Sequence, residues 1–438
     1  MRWYWALRQR WHSFWFEPVE PVNLGVCRLL FFGAFFLLYL PLDVTLWAGV
    51  SDVFWMPVWL FRRFHLPVLS APMLGMFQGF WKVALGLSCL GLFTRTATSA
   101  SFLFGVYLLG LPHNFGKTHH FDAIVVFVLG IMALARCGDS WSVDRLIAVA
   151  RRGRGSSAVR PVPSGEYAWP VRLVWALMAL IFLGAGVSKL RHSGFDWIVS
   201  DNLAIMLLQH VYQPVAQADP LVSWSFAVAR ARWLCQLLAG ATIVLEVGYP
   251  LALISRRARW VIVPGAFLMQ VGIRLLMGPT FHQFLICNLF WVPWDGVGRW
   301  LVCRFRGRQP CAVFFDGACG LCQGTVSVIR SLDLMQRVDC YDARHQWPVI
   351  ESKFPCLNQE ACLEEMHVIT PDGKCVTGFY AYRELAWVLP LGWVALPLLY
   401  LPGVSLVGRW VYTFVASRRH RGGCPLPLRS GGTIVTPL

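Results

Sequence analysis

Charge is what this chain has least of. Of its 438 residues only 14% are Asp, Glu, Lys or Arg, against 56% hydrophobic, and the mean hydropathy is +0.53. A soluble globular domain carries about a quarter of its residues as charges, so this shortage excludes an ordinary cytosolic enzyme and a disordered solvating tail alike. Acid is scarcer than base, 23 residues against 39. The basic excess stands in short loops between apolar runs, which argues against a nucleic-acid partner and for membrane topology, with attraction to anionic lipid as a by-product. Repeats are lacking, and so are low-complexity tracts beyond the short linker Arg151–Ser164. No cleavable signal peptide is visible. Arg2, Arg8 and Arg10 are interleaved with Trp3, Trp5, Trp11 and Trp15, which reads as an amphipathic interfacial segment over residues 1–24.

What is present is apolar length. Runs near the roughly 20 residues needed to span a bilayer recur eight times, at about 25–48, 71–94, 97–113, 121–138, 168–190, 233–255, 259–278 and 283–303. Twenty-two tryptophans supply indole rings for the membrane–water boundary. Phe54–Leu60, with Arg62 and Arg63, reads as an interfacial or re-entrant piece, and Ile198–Val211 as an amphipathic surface helix. With eight spans the basic segments fall on one side: the N-terminus, the Arg136–Arg172 loop, Arg256–Arg259 and Arg299–Arg308. The positive-inside rule makes that side cytoplasmic. The polar residues His113, Lys117, His119, His120, Lys189, His192 and His282 then gather at the outer ends of spans. Ionisable groups at membrane depth mark a functional site by default, although a lone lysine at a helix end is as often a snorkelling anchor as a base.

Three stretches carry a resemblance. The first is Thr118, His119, His120 and Phe121, followed after one span by Trp141, Ser142, Val143 and Asp144. The second is Gly184 to Leu190, containing Lys189, with Asp196 and Trp197 beyond it. The third runs from Glu246 to Pro250, followed by Phe281, His282 and Asn288. In this order they resemble the vitamin K-dependent gamma-carboxylase-like family, also called HTTM, over most of residues 20–303. The resemblance implies a base at Lys189 that deprotonates a reduced naphthoquinone, with His120 or else His119 assisting, His282 as polar support, and oxygen and CO2 as co-reactants. It also implies a peptide substrate, with Glu246, Asn288, Asp196 and Trp197 lining the site. An apolar, partly dehydrated helix end favours the neutral amine that accepts a proton, and Gly184 with Ser188 offers a small-residue face for a neighbouring helix. Two departures stand out: nothing in the chain resembles the large lumenal domain that holds a propeptide, and the stretch Arg191–Phe195 is longer than the family pattern.

Cysteine usage changes along the chain. Five of the fourteen cysteines (Cys27, Cys89, Cys137, Cys235, Cys287) are scattered through apolar runs, and nine fall in the last 136 residues. There, Ala312 to Phe315 reads as a strand, Asp316 and Gly317 as a turn, and Cys319 with Cys322 as a C-x-x-C opening a helical Val326–Leu334. Unpaired N–H groups at a helix N-terminus favour the thiolate of the first cysteine. Asp316 either shuttles a proton or starts the turn. A C-x-x-C is also half of a zinc ribbon, with Cys340, Cys356, Cys362 and Cys375 as further candidates, but no second C-x-x-C exists and no metal is expected. The stretch resembles the DCC family of thiol-disulfide oxidoreductases over about residues 311–421, by its Asp316, Cys319 and Cys322 signature and by the downstream Asp372, Gly373, Gly378 and Tyr412. Leu391–Val415 is apolar enough for another span, yet Pro390, Pro397 and Pro402 argue for short packed helices lying against the membrane.

The expected architecture is a polytopic α-helical membrane domain of about eight transmembrane helices with a small C-terminal thioredoxin-like α/β domain. Its segments are residues 1–24, 25–303 and 304–438, with the N-terminus and the redox domain cytoplasmic. The leading functional expectation is quinone-linked oxidative chemistry at the outer face, with membrane lipid, quinone and a peptide as partners. Two alternatives stand beside it: a membrane-anchored thiol-disulfide reductase on a non-catalytic scaffold, and a peptide export or maturation partner.

Overall fold

The computed structural model describes residues 2–116, 121–151, 162–211, 222–278, 281–306, 310–333, 337–389, 392–393 and 395–419. The chain divides into two compact units, Met1–Ser140 with Val162–Pro293, and Trp141–Pro161 with Trp294–Leu438.

The first unit is helical. Among the described residues four helices are long and apolar enough to cross a membrane: Val22–Tyr39, Ala71–Leu90, Gly165–Ser193 and Arg256–Met277. A fifth candidate is the pair Trp224–Arg230 and Arg232–Gly248, bent by 99° at Ala231. Val22–Tyr39 is more than half buried while the other three long helices face mostly outward, and the outer faces are apolar at Leu37, Phe80, Leu180, Val244 and Trp260, as lipid contact requires. The unit is therefore a polytopic helical membrane region.

Three expected spans take another form. Thr94–Gly110, in place of the run at 97–113, has 17 residues and rises only about 26 Å. Phe121–Leu134 rises only about 21 Å over its 14 residues, short of a hydrocarbon core of about 30 Å. The run at 283–303 is not one helix. His282–Cys287 gives way to the 3-10 turn Asn288–Trp291, and a new helix, Trp294–Arg306, begins after Pro293. Proline cannot donate the next helical hydrogen bond and biases the residue before it away from helix, so the apolar run breaks where Val292 meets Pro293.

Arg28 shows how the unit manages a charge at depth. It is fully buried, and its guanidinium donates to three carbonyls: Nε to Cys137 at 3.1 Å, and Nη1 to Ser88 and Cys89. The last two belong to the open C-terminal turn of Ala71–Leu90, which ends in left-handed Gly91. A cation there meets the carbonyls of the last turn and the negative end of the helix dipole. Around it Phe31, Phe32, Phe35, Trp81 and Phe290 form a fully buried aromatic core.

The second unit is built on a four-stranded sheet ordered β2-β1-β3-β4, with β1 Cys311–Phe315, β2 Val338–Asp342, β3 His367–Ile369 and β4 Cys375–Thr377. β1 pairs parallel with β2 and antiparallel with β3, and β3 and β4 form a hairpin whose turn holds Gly373 at φ 79°. All five residues of β1 are buried, as a central strand covered on both faces demands. Its side chains alternate. Cys311 and Val313 join Ile329, Val368 and Leu385 on one face, while Ala312 and Phe314 join Ile350, Cys362 and Ile369 on the other. Helix Gly320–Leu332 supplies the crossover that a parallel pair needs. This mixed sheet with helices on both faces is consistent with the expected thioredoxin-like fold. Helix Val143–Arg151 belongs to this unit and packs against Gly320–Leu332.

Candidate functional site

In the membrane unit three of the expected residues meet. Lys189, near the C-terminus of helix Ala168–Ser193, reaches Glu246 of helix Arg232–Gly248, its Nζ lying 2.6 and 2.7 Å from the two carboxylate oxygens. The same Nζ lies 5.4 Å from the centre of the Trp197 ring. Lys189, read from the sequence as an amine at an apolar, partly dehydrated helix end with Glu246 in the same site, forms an ion pair with Glu246 from the facing helix. The close helix approach falls elsewhere than expected. A methyl at Gly186 would stand 2.8 Å from Val247, whereas Gly184 faces open space.

Among the described residues, no other expected residue hydrogen-bonds to that pair or forms an ion pair with it. Asp196 and His282 are exposed. Asn288 turns its Nδ2 back to the carbonyl of Phe284, 2.9 Å away. His119 and His120 fall outside the described residues.

A second polar cluster escaped the sequence reading. Asp122 is buried, accepts from Tyr39 Oη at 3.3 Å and Gln283 Nε2 at 3.5 Å, and has His113 Nε2 4.0 Å from its other oxygen. The signal was available: Asp122 is the one acid in the apolar run Phe121–Leu134, and ionisable groups at that depth are costly unless partnered.

In the second unit the end of β1 leads straight into the cysteine pair. The Cys319 N–H donates to the Asp316 carbonyl at 3.2 Å, closing the turn, and Cys319 is the capping residue of helix Gly320–Leu332. Cys319 and Cys322 are both buried and packed with Phe315 and Val326, and Cys340 of β2 lies against the same cluster. Burial raises the Cys340 thiol, opposed by Arg330, so this third sulfur stays protonated beside the pair.

Asp316 starts the turn. Its Oδ1 accepts from Ala318 N–H at 2.9 Å, and Arg344 donates to both oxygens at 2.9 and 3.2 Å. Gly317 lets the Asp342 carboxylate come close, because a methyl there would overlap it and push it aside. Burial alone would raise that carboxyl, but His345 and the N–H groups of Arg344 and Gly317 hold it below the usual range. Arg344 and Asp342 had no sequence signal, since β2 brings them to the turn from more than twenty residues downstream.

Cys322 opens onto a groove whose other walls are Leu321, Thr325, Met366, Tyr382 and Tyr412. Tyr412 Oη accepts the Met366 N–H at 3.2 Å, so the last helix forms one side. Away from this groove, burial and then the neighbouring Cys375 and Cys356 push the Cys362 thiol up to about 11 from 9.0. Two pH units mean about a hundredfold less thiolate than an ordinary cysteine at pH 8. Iodoacetamide at pH 8, read by peptide mass spectrometry, is expected to modify the exposed Cys356 well before Cys362. The raised value also means that Cys362 favours the fold below pH 9 and that this contribution is lost as pH rises through about 11.

Among the described residues no three of His, Cys, Asp and Glu are placed to share a metal ion. The protein joins a helical membrane region to a C-terminal α/β unit in which a buried cysteine pair stands at the start of a helix. Residues 313–424 match the family model of the DCC1-like thiol-disulfide oxidoreductases, so the C-terminal unit carries a domain of that family. No curated protein and no solved structure matches the chain. For the membrane unit, the resemblance to the gamma-carboxylase-like family rests on its motifs alone.

Proposed function

We propose that this protein is a membrane-anchored thiol-disulfide oxidoreductase whose dithiol is Cys319 and Cys322. The observation that carries it is the pair's placement at the start of helix Gly320–Leu332, inside the segment that matches the family. In the reducing direction, Cys319 thiolate attacks one sulfur of a substrate disulfide, forming a mixed disulfide and releasing one substrate thiol. Cys322 then attacks the Cys319 sulfur, releasing the second thiol and closing the Cys319–Cys322 disulfide. The substrate gains two electrons and two protons, which the dithiol loses, and a further dithiol donor returns them for the next cycle. Asp316, Arg344 and Asp342 hold the turn that presents the pair.

The loop charges support a cytoplasmic location, where thiols are kept reduced. Because Cys319 and Cys322 are buried, the exposed Cys356 and Cys375 report the side. An impermeant maleimide is expected to label them only after lysis. Pre-reduced full-length protein in membranes is expected to reduce insulin disulfides; a chain that leaves them intact sinks the proposal.

The convergence of Lys189, Glu246 and Trp197 supports a second reading for the membrane unit, in which Lys189 and Glu246 hold a proton taken from the hydroxyl of a reduced quinone. A partly exposed amine beside an indole face fits a flat aromatic ring. The quinone, when bound, would supply the redox chemistry. Oxygen, CO2 and a peptide substrate stay with the family resemblance.

A further inference from the structure

Helix Val404–Arg419 confines its polar residues Ser405, Arg409 and Thr413, four residues apart, to one narrow stripe. Val404, Gly408, Tyr412 and Ala416, four residues apart, form its inner stripe, where a methyl at Gly408 would overlap the Phe379 ring and Tyr412 lies against Gly378. The opposite stripe, Leu406, Trp410 and Phe414, with Val407 and Val411 beside it, is exposed, Trp410 by 69%. Leu398 and Leu401, just before the helix, are exposed as well. A large exposed apolar patch marks a binding surface, and an exposed apolar stripe beside a narrow polar one suits a helix lying in a membrane interface.

Charge selects the occupant. From 392 to 419 the chain holds Arg409, Arg418 and Arg419 and not one acidic residue. Exposed tryptophan, leucine and phenylalanine on a helix edged by arginine suit the boundary of an anionic bilayer, where indole rings settle and basic residues meet phosphate. The rest of the chain carries membrane spans, so such a surface is at hand. We propose that this helix docks the redox domain onto an anionic lipid surface through Leu406, Trp410 and Phe414. The inner side of the same helix walls the Cys322 groove, so docking sets the active cysteines beside the membrane. The proposal rests on the membrane-anchored reading only for the presence of a bilayer, and not on thiol chemistry.

The test uses the full chain reconstituted in vesicles of phosphatidylcholine, with or without an equal share of phosphatidylglycerol. A benzophenone-bearing phenylalanine analogue replaces Leu406 in one variant and Phe414 in another; both sites are exposed, so the fold tolerates the change. On illumination the expected product is a phospholipid adduct on the labelled peptide, in higher yield with phosphatidylglycerol. Arg409→Gln is expected to lower that yield by up to about fivefold, the worth of one arginine near an anionic surface. Adducts only to protein, whether the same chain or a second copy, would overturn the proposal, as would a yield indifferent to the anionic lipid. Insulin reduction by the same preparations is measured separately, so failure of the lipid contact is distinguishable from failure of the thiol chemistry.

Discussion

Cys319→Ser is expected to abolish disulfide reduction, lowering the rate by roughly a thousandfold or more, the scale on which loss of a catalytic nucleophile acts. The attacking species is a thiolate, and serine at the same place stays protonated and reacts far more slowly with sulfur. Cys322→Ser has a different signature. It removes the thiol that resolves the mixed disulfide, so substrate is expected to stay bound to Cys319 and to migrate with the protein on a non-reducing gel. Double replacement traps nothing. Trapping by Cys319→Ser would instead reverse the order of attack, making Cys322, which lines the groove, the nucleophile. The packing around the pair makes these substitutions clean tests, because Phe315 and Val326 remain and serine is close to cysteine in volume.

The second large effect lies in the membrane unit. Lys189→Met leaves Glu246, only 5% exposed, with an uncompensated charge. Breaking a buried ion pair from one side costs about 3 kcal/mol, at the lower end here because Lys189 reaches solvent. The double change Lys189→Met with Glu246→Leu is expected to recover most of that loss, since two apolar side chains of similar volume bury without cost in charge. Thermal denaturation of the detergent-solubilised chain reads both. The double variant also separates the two readings of the membrane unit. Should it be stable and still oxidise a reduced naphthoquinone at the unaltered rate, the pair is only a helix clamp and the quinone reading falls. Should it be stable and inert towards the quinone while insulin reduction persists, the two units carry separate chemistries.

Much of this protein could be read from residue order, and the physical reason is that the readable parts are local. Shortage of charge and length of apolar runs set the membrane region, because a hydrocarbon solvent acts on composition before it acts on shape. The apolar strand, the Asp316-Gly317 turn and the C-x-x-C lie within eleven residues, so the redox turn was legible as one motif, and the family match falls on it. What depended on distant partners was not legible. Hydropathy does not register the proline that splits 283–303, nor the 99° bend at Ala231. Nothing near Asp316 announces Arg344, which parallel pairing of β1 with β2 carries to it. Lys189 could be singled out as ionisable at depth, and Glu246 as part of a motif. That the two form an ion pair was decided by the tertiary structure, because only the close approach at Gly186 brings one helix near enough to the other for their charges to meet.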